Sequence, residues 1–258
     1  MDTNRILHIS AFAGEIMLKS GAETYRVEET VTRICSSYGI KNSDSFATPT
    51  GIIISVTDTN GNTISKVIRI TYRTIDLDKI SKVNDLSRRI CSEDLTLDFV
   101  DKALNDINTN MNKYSNKTLI IASSIAAGFF TLLFGGNFND FFVSLFIGFV
   151  IQILSIILSK IETNTFFINA IGGATASFIA LLSTSIGFGD NTDKIVIGSL
   201  MLLVPGLVIT NAIRDSVAGD LVAGTSRAAE AFLIAIAIAV GSGIVFSLWI
   251  KYFGGVSI

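Results

Sequence analysis

Residues 141–159 read FFVSLFIGFVIQILSIILS, a run without a single Asp, Glu, Lys or Arg. At 1.5 Å per residue, a helix of that length crosses the roughly 30 Å hydrocarbon core of a bilayer. Four more charge-free runs flank it: Thr118–Asn139, Thr163–Gly189, Ile195–Ile213 and Ala231–Ile250. Buried helices of soluble proteins tend to show one polar face, and five charge-free runs in succession are hard to explain as such helices. Only 16% of the 258 residues are charged, against about 25% in an average soluble domain, and charge is dense only up to Lys117. The sequence therefore predicts an integral membrane protein. A cytosolic N-terminal α/β domain occupies 1–116, and a bundle of about five transmembrane helices occupies 117–258. The spans are expected near 118–136, 140–159, 165–187, 194–213 and 230–250.

Asp2, Arg5 and Glu15 interrupt any apolar signal-peptide core, so no secretory leader is expected. Lys113, Lys117, Lys160, Arg214 and Arg227 fall on one side of the predicted spans, and only Lys194 and Lys251 on the other. The positive-inside rule then puts the N-terminal domain in the cytoplasm of a multi-pass plasma-membrane protein. Cys35 and Cys91 lack metal-ligand spacing and read as reduced thiols. A net charge of −2 points away from nucleic acid.

Within the N-terminal domain, Ile6, Ile9, Ala13, Ile16 and Met17 keep helical spacing, with Gly21 placed to end the helix. Val27, Val31, Ile34 and Tyr38 mark a second helix closed by Gly39. The β-branched run Gly51–Val56, the Asn60-Gly61 turn and the alternation from Ile64 to Tyr72 predict a β-hairpin with flanking helices. Two helices follow, near 76–91 and 96–114, the second continuing toward the first span. No phosphate loop, GxSxG or zinc-ligand pair is present, so neither a catalytic residue, a metal nor a cofactor is expected. Ser20 and Glu23 have capping-box spacing, while Glu23 and Thr24 also offer a polar contact point for a ligand or for the membrane domain. Thr50 and Gly51 open the hairpin after Pro49.

The spans are rich in Gly, Ala and Ser, which let helices approach closely in lipid and leave room for a homo-oligomer. Pro205 and Gly206 sit inside the fourth apolar run, and proline removes a backbone hydrogen bond there. In a membrane the freed carbonyl must be satisfied by protein or by water, and such breaks often build transporter sites. Asn211, Arg214 and Asp215 follow at i, i+3 and i+4 on one helical face, and Asp220, Arg227 and Glu230 extend the polar series. Charges at the membrane edge face a partner or a water-filled path.

Leu202-Leu203-Val204-Pro205-Gly206, Asn211-Ala212, Arg214-Asp215, Gly219-Asp220 and Gly224-x-x-Arg227, with Gly21-Ala22-Glu23-Thr24 and Thr50-Gly51 upstream, resemble the threonine/serine exporter family. The resemblance covers nearly the whole chain. It implies a split-type N-terminal half, about five spans rather than ten, completed by a second small membrane subunit. Split members are associated with succinate-like dicarboxylates, single-chain ones with threonine and serine. The implied activity is export of small carboxylates by a secondary transporter, coupled to protons. Pro205 and Gly206 would expose backbone to the substrate, Asn211 would hydrogen-bond it, and Arg214 would grip its carboxylate. Asp215, Asp220 or Glu230 would carry the proton. The competing readings are a membrane-anchored enzyme or sensor acting through its N-terminal domain, and a channel.

Overall fold

A computed structural model of the chain describes residues 2–109 and 114–254. It divides into two compact units: Met1–Asn112 with Leu207–Ala228, and Lys113–Gly206 with Ala229–Ile258.

In the first unit, helices α1 (Thr3–Lys19) and α2 (Thr24–Ser37) precede strands β1 (Asn42–Thr48), β2 (Gly51–Thr57) and β3 (Thr63–Arg69). Helices α3 (Leu77–Ser92) and α4 (Leu97–Thr109) follow. Asp2 and Asp76 cap α1 and α3 by accepting from the amides of Arg5 and Lys79. The strands form one antiparallel sheet in the order β1-β2-β3. Ala47, Ile52, Ile54 and Val56 on one sheet face join Ile6, Ile9, Met17, Val31, Ile34, Val100 and Leu104 in a single core. Gly21 and Gly39 close the first two helices with φ of +89° and +86°, the left-handed conformation that favours glycine.

The predicted hairpin forms as β2 and β3, with Asp58 accepting from the amides of Asn60 and Asn62 at 2.8 Å each. Strand β1 goes beyond the sequence reading. Its residues NSDSFAT bury only Ala47, so it carries no apolar alternation, and pairing with β2 rather than its own pattern makes it a strand. The expected continuation of α4 toward the first span falls on 110–113, outside the described residues.

The second unit contains α5 (Asn116–Leu133), α6 (Phe138–Lys160), α7 (Thr165–Ser185) and α8 (Thr192–Leu200). Helix α9 (Gly206–Val217) lies in the first unit beyond Gly206, and α10 (Leu221–Phe253) starts there and enters the second at Ala229. Among the described residues, four helices are long and apolar enough to cross a membrane: α5, α6, α7 and α10. The predicted span at 194–213 is instead two helices of 9 and 12 residues, interrupted before Gly206. Each falls short of the roughly 20 residues a crossing needs. Pro205 donates no hydrogen bond to the preceding turn and biases Val204 away from helix, so α8 stops and α9 starts anew.

Close packing in the second unit uses the small residues. A Cβ on Gly148 would lie 2.7 Å from the Ser123 carbonyl, and one on Gly198 would lie 2.6 Å from both the amide nitrogen and the Cα of Thr131. Thr131 donates to Ser144 at 2.6 Å in the same buried layer. Because backbone cannot swing aside as a side chain does, Gly198→Ala is expected to destabilise by about 1–3 kcal/mol. A lowered melting midpoint in detergent checks this; an unchanged one contradicts it.

Asp140 fastens the two loops at one end of these helices. Asn137 and Asp140 form a capping box at the start of α6, with both bonds at 3.0 Å. The same fully buried carboxylate accepts from the amides of Asp190 (2.8 Å) and Asn191 (3.0 Å) and from the side chain of Asn191 (2.8 Å).

Candidate functional site

Two glycine-terminated helix ends build the site, both within the first unit. At the end of α1, the Ala22 amide donates to Met17 O and the Gly21 amide to Leu18 O, the paired bonds of a Schellman motif. At the end of α9, the Asp220 amide donates to Asp215 O and the Gly219 amide to Ser216 O, with Gly219 at φ +97°. The first turn presents Glu23 and Thr24, and the second fixes Asp215 and Asp220 on either side of a tight bend. Gly224 lets α10 lie against α9, since a Cβ there would fall 2.9 Å from the Ala212 carbonyl.

The two turns are bonded together. The Asn211 side chain donates through Nδ2 to Gly21 O at 2.9 Å, and the Arg227 guanidinium donates to Ala22 O at 2.6 Å. Asp215 accepts from the Thr24 amide at 3.1 Å and pairs with Arg227 at 3.0 Å. Thr24 Oγ1 donates to Asp220 at 3.2 Å. Glu23 pairs with Arg214 at 2.6 Å and with Arg26 at 3.2 Å.

The capping box expected from Ser20 and Glu23 does not form. Ser20 is the C-cap of α1, and Glu23 stands at the N-cap of α2 without a side-chain capping bond. Asp215 supplies a negative group instead: it accepts from the first amide of α2, where the helix dipole favours an anion. The Glu23 carboxylate is held by its own backbone amide, Arg214 and Arg26.

The electrostatics divide the carboxylates. Burial pushes Glu23 up, but its own backbone amide, Arg214 and Arg26 outweigh that and hold it below the usual glutamate range. Burial raises Asp215, and the opposing pull of Arg227 and Thr24 does not cancel it. Glu28 is raised by burial as well, against the Ala47 amide it accepts from at 2.6 Å, with Asp220 and Asp215 adding repulsion. Arg214 stands apart: its side chain is 55% exposed, whereas those of Asp215 and Arg227 are 0% and 3%. The cluster can therefore hold one buried ion pair and still offer a guanidinium to solvent.

Of the residues singled out in the sequence, Glu23, Thr24, Asn211, Arg214, Asp215, Asp220 and Arg227 come together here. Thr50 lies in the β1–β2 turn, where its carbonyl accepts from Ile70 at 2.9 Å. Pro205 and Gly206 end the second unit's α8–α9 break, and Glu230 lies on the second unit's part of α10. Sequence reasoning missed Arg26, whose i+3 spacing from Glu23 was a usable signal, and the carbonyls of Gly21 and Ala22, for which there was none. It also missed the Asp140 network, signalled by the N-x-x-D spacing at 137–140.

The sequence profile of the ThrE threonine/serine exporter family matches residues 8–249. The "Probable threonine/serine exporter" of Mycobacterium tuberculosis is 26% identical over 247 residues, covering 93% of this chain and 46% of that protein. The "Threonine/serine exporter" of Corynebacterium glutamicum is 23% identical, covering 93% and 50% respectively. This chain thus spans about half the length of both. The "Probable succinate transporter subunit YjjP" of Klebsiella aerogenes is 24% identical, with 90% of each chain covered. No solved structure matches. The profile runs through both turns of the cluster and the α8–α9 break, and the chain belongs to the threonine/serine exporter family, a family of transporters and not of enzymes.

Proposed function

We propose that this chain is a subunit of a secondary transporter that exports small carboxylates, threonine and serine or succinate-like dicarboxylates, across the plasma membrane. One observation carries the reading: Arg214 already holds a carboxylate, that of Glu23, at 2.6 Å while half of its side chain stays exposed. A guanidinium so placed grips the carboxylate of a substrate by the same charge-assisted bonds. Proton coupling is assigned to Asp215, with Asp220 and Glu230 as the other candidates. The burial of Asp215 beside Arg227 supports this, because burial raises its affinity for a proton above that of an ordinary carboxylate. A second membrane subunit completes the pathway, a reading supported by the word "subunit" in the succinate relative's name. The first residues, 1–116, are assigned to the cytoplasm and 117–258 to the membrane, with five crossings of which the fourth, at 194–213, is interrupted. The lysine and arginine bias and the charge-free run Ile195–Ile213 support that topology.

Efflux of labelled threonine, serine and succinate from preloaded cells tests the assignment. Arg214→Ala is expected to cut efflux about 30-fold or more, as loss of a charged hydrogen-bond partner does. Wild-type efflux at equal membrane abundance overturns the role given to Arg214.

A further inference from the structure

We propose that Glu23 is a built-in competitor for the substrate, a carboxylate of the chain itself that occupies Arg214 until a substrate carboxylate displaces it. The inference rests on the reading of Arg214 as the substrate grip and adds what holds that grip when no substrate is bound.

Three features of the cluster carry it. First, the Glu23 side chain reaches arginines and makes no capping bond to α2. Glu23 stands at the N-cap of α2, and Asp215 accepts from the Thr24 amide at the same helix end. Releasing Arg214 therefore leaves no helix end uncapped. Second, Glu23 has an alternative partner. Its Oε2 is 3.2 Å from Arg26 while its Oε1 takes Arg214 at 2.6 Å, so displacement does not strand a buried charge. A buried carboxylate with a single partner would resist exchange far more strongly. Third, the neighbouring acid is not a rival. Asp215 is fully buried against Arg227, and that pair stays closed while Arg214 changes hands. The exposure is asymmetric in the required sense: 55% for the Arg214 side chain and 7% for that of Glu23, so an incoming carboxylate reaches the guanidinium from solvent.

A self-ligand lowers apparent affinity by the fraction of time the site is free. If Glu23 holds Arg214 for about nine-tenths of the time, removing its charge tightens binding about tenfold. Equilibrium binding of labelled succinate, threonine and serine to membranes from the native host, with the full chain and its membrane partners in place, reads this directly. Glu23→Gln keeps shape and hydrogen bonding but loses the charge. Glu23→Asp keeps the charge but withdraws it from Arg214, and covers the case in which the first variant fails to fold. Both are expected to bind one of these carboxylates more tightly than wild type, by about three- to tenfold. Arg214→Ala is expected to bind none of them. Loss of binding in Arg214→Ala with unchanged or weaker binding in both Glu23 variants overturns the competition and leaves the grip standing. Undiminished binding by Arg214→Ala overturns the grip itself. Absence of binding in wild type and in both Glu23 variants overturns both.

Discussion

Arg227→Met is expected to destabilise the first unit by about 3–5 kcal/mol, because it leaves the carboxylate of Asp215 buried without its cation. Asp215 is fully buried and Arg227 nearly so, which puts this pair at the costly end of ion-pair deletions. The same substitution removes the 2.6 Å bond to Ala22 O, and with it one of the ties between the α1–α2 turn and the α9–α10 turn. Hydrogen exchange reads the effect locally: amides of 20–27 and of 211–224 should lose protection together, and the α4 amides much less. The decisive comparison is the double variant Asp215→Leu with Arg227→Met. Replacing both charges by apolar side chains of similar bulk removes the desolvation penalty along with the attraction. The double variant should therefore recover most of the stability lost by the single one. A single variant as protected as wild type, or a double variant worse than the sum of its parts, contradicts the account.

The second large effect is expected at Asp140→Ala. Its carboxylate receives the amides of Asn137, Asp190 and Asn191 and the side chain of Asn191. Each buried donor left without an acceptor costs about 1–3 kcal/mol, so deletion of the group that serves several of them is expected to cost about 3–5 kcal/mol. Asp140→Asn separates charge from shape: its amide NH2 group would face donors and cannot accept from them, so most of the loss should remain. Melting midpoints in detergent and the yield of folded protein measure both variants. Because the Asp140 network lies in the second unit and the Asp215–Arg227 pair in the first, the two sites share no partner and their effects should add. A neutral Asp140→Ala would mean that the loop at 186–191 is held by other contacts.

The membrane character, the helix ends at Gly21 and Gly39, the β2–β3 hairpin and the break at Pro205 were all legible before the structure. Each is written in local chemistry: charge-free length, a glycine that tolerates positive φ, an Asn-Gly turn, a missing amide donor. Strand β1 was not legible, because an edge strand with one buried side chain takes its conformation from the neighbour it pairs with. The polar residues after Pro205 were recognisable as a set through their i, i+3, i+4 spacing, but their partners were not.

The sequence by itself determined that this chain crosses membranes, where its apolar helices are interrupted, and which polar residues of the 205–230 region stand out. Those properties depend on neighbours within a few turns. Only the tertiary structure decided that Asp215 caps α2, that Glu23 holds Arg214 in place of capping its own helix, and that 207–228 packs with the first unit. These bonds join residues about 190 positions apart. No period or spacing records such a pairing. Chain folding brings the two turns together, and burial then selects the partner each charge keeps.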